Sequence, residues 1–218
     1  VGGDNCGPLS FVETLTVLDT LPSDLGWEET IVFFNDSERF DYRCPEGLAD
    51  PRSGVICLPN NYQYAGGQQL PEGWLRVTAL ANYRAWAGLE NTRPHSHASD
   101  DVFAEASLDA YRQHKAAWFQ RLTEQALAFL PGGVSAETVH ARTRATDMFT
   151  PLTIERYTGH LGGAIYGSPR KNKPGTTHLE NLYLCGTDQG FLGITGAMLS
   201  GISMANAHIL GAQASPAS

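Results

Sequence analysis

Basic charge is what this sequence has least of. Its 218 residues hold 15 lysines and arginines against 23 aspartates and glutamates, a formal net charge of −8. Phosphate backbones are gripped by a cationic face, so the balance argues against nucleic acid as a partner. It also gives no support to purely electrostatic attachment to anionic lipid. Cysteine is nearly as scarce. Cys6, Cys44, Cys57 and Cys185 stand far apart with no C-x-x-C, which indicates neither a zinc site nor a disulfide framework. Reduced thiols in a cytoplasmic protein are the expectation. No run approaches the ~20 apolar residues of a membrane span, and a secretory leader is not expected. No Ser-His-Asp set or carboxylate pair stands out, and G-x-G-x-x-G is missing.

Glycine, by contrast, is abundant. The 23 glycines exceed the usual share of roughly 7%, and 42% of residues are hydrophobic, enough for a substantial core. The length suits one large domain or two small ones.

Alternation and β-branching mark SFVETLTVL (10–18) as a strand. TIVFF (30–34) and GVICL (54–58) read as short buried strands, and WLRVTALA (74–81) as a fourth. Four strands without long intervening helices predict a mixed, mostly antiparallel sheet. A polar segment with His95 and His97 follows. Histidines at i, i+2 without a third ligand read as a solvated loop, so no metal site is expected. Residues 102–130 carry a helical stripe of Tyr111, Trp118, Leu122 and Phe129, stopped by Pro131-Gly132-Gly133. VHARTRATDMF (139–149) alternates like a strand. Thr150 is placed to cap a helix that begins at Pro151 and ends at Thr158-Gly159. Glycine-rich GHLGGAIYG (159–167) and the loop 168–175 then lead to NLYLC (181–185), read as a strand, and a helix from about Ile194.

The fold class read from this pattern is mixed α/β (α+β). A sheet-and-helix portion occupies 1–150, and 151–218 ends in a strand, glycine turn and helix. Amides at such a turn and helix start favour an anion or an electron-rich ring edge, and Asp188 could accept hydrogen bonds from ligand hydroxyls. On spacing alone, a purely structural strand-turn-helix is an equal reading. The aromatic residues Trp74, Trp86, Trp118, Tyr62 and Tyr64 read as core before tunnel lining. The loop Arg170-Lys171-Asn172-Lys173 reads as solvated, with lipid headgroup contact as the second reading.

NLYLCGTDQGFLGITGAMLSGISMANAHIL resembles the C-terminal flavin motif of the phytoene-desaturase-like flavoproteins. That group includes carotenoid desaturases, carotenoid isomerases and retinol saturases, and it neighbours the amine oxidases. The matching residues are Gly186-Thr187-Asp188, Gly190, Gly193 to Gly196, Leu199-Ser200-Gly201 and Ala205-Asn206. FTPLTIERYTGHLGGAIYG (149–167) is similar to a second stretch of the same group. SFVETLTVLDTLPSDLGWEETIVFFND (10–36) is similar to the strand-turn-strand of their substrate domain.

The resemblance implies a two-domain architecture. Residues 1–150 would belong to the substrate domain and 151–218 to the closing part of a Rossmann-like FAD domain. Gly186, Thr187 and Asp188 would bind FAD, with Asp188 at its ribityl or pyrophosphate portion. Gly193, Ile194, Thr195 and Gly196 would lie along the isoalloxazine. Gly163, Ala164, Phe191 and Leu192 would line the junction of flavin and substrate, with His160 and Tyr166 as candidate catalytic residues. The substrate would be a polyene or isoprenoid such as a carotenoid, transformed by hydride exchange with the flavin. Gln189, Phe191, Leu192 and Thr195 depart from the family's turn, so they leave the desaturase, saturase or isomerase subtype open.

Because G-x-G-x-x-G is missing, the resemblance implies a C-terminal half that supplies one wall of the FAD site. A second polypeptide or an N-terminal segment would carry that motif, and a start at Val1 fits a processed or partial chain. The expected location is cytoplasmic, with possible peripheral membrane contact. The other readings are an amine-oxidase-like flavoprotein and a non-catalytic subunit that binds an apolar ligand.

Overall fold

The computed structural model describes residues 7, 9–39, 42–89 and 105–211, with the side chains of 105–109 excepted. His95, His97, Cys6, the start of the long helix at Val102 and the tail after 211 lie outside the described residues. The chain divides into two compact units, a larger one of Leu9–Gly163 and a smaller one that includes Gly7 and 164–211.

The larger unit is built on one antiparallel sheet. Its strands are β1 (Ser10–Leu18), β2 (Ile31–Asn35), β3 (Ala49–Cys57), β4 (Gly73–Ala81) and β5 (Thr143–Phe149), ordered β2-β3-β4-β1-β5. The chain is therefore a mixed α/β fold whose sheet is antiparallel throughout. Strands pair with close sequence neighbours except at the centre, where β1 lies between β4 and β5.

Register sorts the side chains. Val12 pairs with Ala79, Thr14 with Val77 and Thr16 with Leu75, and all six are buried. Ile56 continues that row into β3, and Phe34 does so in β2. The helix α2 (Glu105–Leu127) supplies Leu122 and Ala126 to the same core, both fully buried. Phe129, just past its end, stacks on Phe34 with ring centroids 4.9 Å apart. Tyr111 meets the buried Trp86 edge-on at 5.8 Å, and its hydroxyl lies 2.8 Å from Thr150 Oγ1. Trp86 itself sits on a short helix, α1 (Tyr83–Leu89), where Asn82 Oδ1 accepts the Ala85 N–H at 3.2 Å in the manner of an N-cap. Nothing in the local periodicity foretold α1. A fully buried large apolar side chain contributes about 1.5–3 kcal/mol, so Trp27, Trp86 and Leu122 are major anchors.

One strand expectation holds only in part and another fails, each for local reasons. Thr143–Phe149 forms β5, whereas Val139–Arg142 is helical and closes α3 (Ala136–Arg142). Ser135 caps α3 by accepting the Thr138 N–H at 3.1 Å, while Glu137 in its first turn and Arg142 in its last suit the helix dipole. NLYLC does not form a strand. It makes one isolated bridge, Thr176 to Tyr183, and Asn181 takes φ 60°, which breaks an extended run. The helix after Thr150 forms as expected. In α4 (Pro151–Thr158) the Thr150 hydroxyl accepts the Thr153 N–H, and Gly159 at φ 70° ends the helix. The C-terminal helix is α5 (Gly193–Ala205), followed by a π-helical turn over Asn206–Leu210.

Thr16 is 1% exposed, and its hydroxyl has no hydrogen-bond partner among the described residues. Thr16→Val removes that stranded hydroxyl at nearly constant shape. It is expected to raise stability by roughly 1 kcal/mol, read as a higher midpoint in denaturant unfolding.

Candidate functional site

The glycine turn and α5 form the centre of the smaller unit. Gly186–Gln189 is a short 3-10 turn that ends at Gly190. Phe191 N–H returns to the Gly186 carbonyl at 3.2 Å. Leu192 then enters α5 without any side-chain cap on the helix's first amides. Ile194 at this end is 92% exposed, and Leu192 and Thr195 are also exposed. The backbone donors of the first turn therefore sit at an open, apolar-edged surface.

Polar pins fasten the turn to the helix. Ser200, fully buried in α5, accepts the Gly186 N–H at 2.6 Å and donates to Gln189 Oε1. Gln189, 3% exposed, donates to the Lys173 carbonyl at 2.9 Å. Sequence reading treated Gln189 as a departure from a glycine run. It missed the role of Gln189 as the partner of a serine on an apolar helix. Ser200, set between Leu199 and Gly201 on that helix, was the available signal.

Asp188 fastens the preceding loop. Its carboxylate accepts the Ser168 N–H at 2.7 Å, and its carbonyl accepts the Asn172 N–H at 2.9 Å. A Cβ at Gly167 would come within 2.2 Å of that carboxylate, so glycine is required there. Tyr166 is 38% exposed, and its carbonyl accepts from Lys171. That places one cation of the 168–175 loop on backbone instead of leaving it simply solvated. His208 packs, stacking on Tyr183 at 4.2 Å and contacting the Pro174 carbonyl.

The smaller unit thus gathers Tyr166, Gly186, Thr187, Asp188, Phe191, Leu192 and the start of α5. His160 and Gly163 belong to the larger unit, so the expected junction residues are split between the two. His160 is exposed on the loop after α4, whereas Gly163 is buried. Its carbonyl accepts Ser10 Oγ at 2.7 Å, and a Cβ there would strike both that hydroxyl and the Pro151 carbonyl at 2.7 Å. Glu155 anchors the same loop. Its carboxylate accepts the Gly162 N–H at 2.9 Å and the Tyr83 hydroxyl.

Among the described residues, each unit has an apolar face that is exposed or only half-buried. In the smaller one, Ala164 is the only buried hydrophobic residue among those described. Ile194, Met198 and Ile202, spaced by four along α5, are 92%, 61% and 51% exposed. In the larger unit the second face of the sheet carries Leu15, Val17, Val55, Trp74 and Leu80, all half-buried, with Phe33 exposed beyond them. Its centre holds an ion pair, Glu13 with Arg76. Trp74 therefore belongs to the open face, while Trp86 belongs to the core.

Among the described residues no cluster of histidine, cysteine, aspartate and glutamate could hold a metal, and no helix is long and apolar enough to cross a membrane. No protein-family model matches the chain, and no curated protein matches it either.

Ser200→Ala would leave the buried Gly186 N–H and Gln189 amide short of a partner. It should destabilise the smaller unit by about 1–3 kcal/mol, seen as faster amide exchange at Gly186 than in the larger unit's strands.

Proposed function

We propose that this chain is the C-terminal portion of an FAD-dependent oxidoreductase, a desaturase, saturase or isomerase that acts on a polyene or isoprenoid. The observation that carries the reading is the inverted character of the smaller unit. Its apolar helix is turned outward around a set of uncapped backbone amides, and its interior is held by Ser200 and Gln189. A surface of that kind is suited to being covered by a partner that also presents an electron-rich ring or anion.

The residues present fit the flavin as one wall. Gly193 at φ 71° opens onto space where a Cβ would meet nothing, so a planar ring can approach the backbone there. The amides of Ile194, Thr195 and Gly196 stabilise negative charge on such a ring by the dipole at the helix start. FAD, when bound, supplies the hydride acceptor or donor for conjugated bonds. Asp188 orders the loop beside the turn through Ser168 and Asn172, so its role includes shaping the site as well as touching the ligand. In this reading His160 and Tyr166, both exposed, are the polar groups that assist proton movement. The larger unit offers its open sheet face to the apolar substrate, positioning it and excluding water.

In this reading a second polypeptide or an N-terminal segment provides the G-x-G-x-x-G that holds the pyrophosphate. The site works in the cytoplasm, at the membrane edge when a lipid-borne substrate is drawn in. The open sheet face also suits a second reading, a flavin-free subunit that binds an apolar ligand.

Purification of the native assembly, with its mass and visible spectrum, separates these. A yellow assembly with a second chain or longer polypeptide is the expected outcome. A colourless assembly of this chain alone favours the flavin-free subunit. Ile194→Asp adds charge compatible with a helix start and should leave folding unchanged or improve it by about 0.3–1 kcal/mol. Flavin content should nevertheless fall at least about tenfold from desolvated charge at the ring. Unchanged flavin content in that variant would remove α5 from the flavin site.

A further inference from the structure

The open sheet face carries Glu13 and Arg76 at its centre among apolar neighbours, with Thr78 beside Glu13 and Asp147 on the edge strand beside Leu15, and that central pair bears on what the face accepts. It rests on the reading that the larger unit takes an apolar ligand.

Glu13 is on β1 and Arg76 on β4, on the sheet surface away from the core. The glutamate side chain is 9% exposed and the arginine 39%. Arg76 Nε donates to Glu13 Oε1 at 2.7 Å, and Nη2 reaches the same oxygen. Among the described residues, Glu13 is the only group bonded to this guanidinium. Arginine carries five N–H donors, so several remain for water or a ligand. Cys57, cross-strand from Arg76, and Tyr62 complete the polar centre. Burial pushes both the Cys57 thiol and the Tyr62 hydroxyl above their ordinary values, so both are uncharged at neutral pH.

Burying a carboxylate with an arginine seldom stabilises a fold more than apolar residues would. Its position amid Leu15, Val17 and Trp74 suggests a task beyond stability. A chain laid over this face strips water from the remaining arginine donors. A pure hydrocarbon gives them nothing in return. A carboxylate supplies acceptors but brings a second negative charge against Glu13, which already neutralises the arginine. An uncharged oxygen avoids both costs.

We propose that the ligand of the open sheet face is a long apolar chain carrying an uncharged oxygen acceptor, a hydroxyl or carbonyl, which takes an N–H of Arg76. The Glu13–Arg76 pair selects it over the hydrocarbon and over the acid. Glu13 acts as the positioning residue, holding the guanidinium fork in place.

The test titrates the full chain with three fluorescent probes of one chain length: parinaryl alcohol, the parinarate anion and the matching octadecatetraene. The alcohol should bind at least about tenfold more tightly than either other probe, the scale of one hydrogen bond to a charged group. Glu13→Leu/Arg76→Met replaces the pair with apolar side chains and should bring the hydrocarbon level with the alcohol. Arg76→Lys keeps the ion pair but loses the fork, so it should shrink the preference without abolishing binding. Equal binding of alcohol and hydrocarbon by the unaltered chain would overturn the inference. So would tightest binding of the acid, or a preference that survives the double substitution. All three outcomes leave the apolar-ligand reading standing. Failure of all three probes to bind would overturn that reading together with the inference.

Discussion

The pairing of β1 with β4, in register from Ser10–Ala81 to Leu18–Gly73, decides which side chains the larger unit can bury. Side chains alternate across a strand, so a slip of β1 by one residue would turn Val12, Thr14 and Leu18 outward and drive Glu13 toward α2. Burying an unpaired carboxylate costs far more than any single contact in this core contributes. The core under α2 and the open face behind it are therefore two results of one registration. Arg76 can meet Glu13 only because both are held on the uncovered side.

The smaller unit obeys a different balance. With Ala164 its only buried hydrophobic residue among those described, it has little hydrophobic driving force of its own. Its form rests on directional bonds, from Ser200 to Gly186, Gln189 to Lys173 and Asp188 to Ser168. Each contributes modestly in water, and each is costly to leave half made when buried. Such an assembly specifies geometry well while remaining only weakly stable alone, which suits a surface that is completed by another body.

Much of this was written locally. Strict alternation in SFVETLTVL and WLRVTALA announced the two central strands, and Thr150-Pro151 with Thr158-Gly159 bracketed α4 closely. The stripe on α2 was legible because Leu122 repeats at helical spacing from Tyr111 and Trp118. NLYLC misled because its composition suits a strand, whereas an extended run becomes one only when a neighbour pairs with it. VHAR misled because four alternating residues cannot outweigh a serine cap. Contacts between distant residues, such as Glu155 with Tyr83 and Gly162 or Ser10 with Gly163, carry no local signal at all. The glycine turn was visible as a turn, but its fastening by Gln189 required the fold.

The sheet also ends unequally. On one side β5 carries Arg144 and Asp147, charges that discourage another strand from adding to it. On the other, β2 reads IVFFN, with no charge within it and Phe33 80% exposed. Backbone donors and acceptors along that outer strand form a ready template for intermolecular addition. Self-association of this protein would thus begin at Ile31–Asn35 and proceed in one direction, which makes the polar residues that follow, Asp36 to Arg39, its nearest gatekeepers.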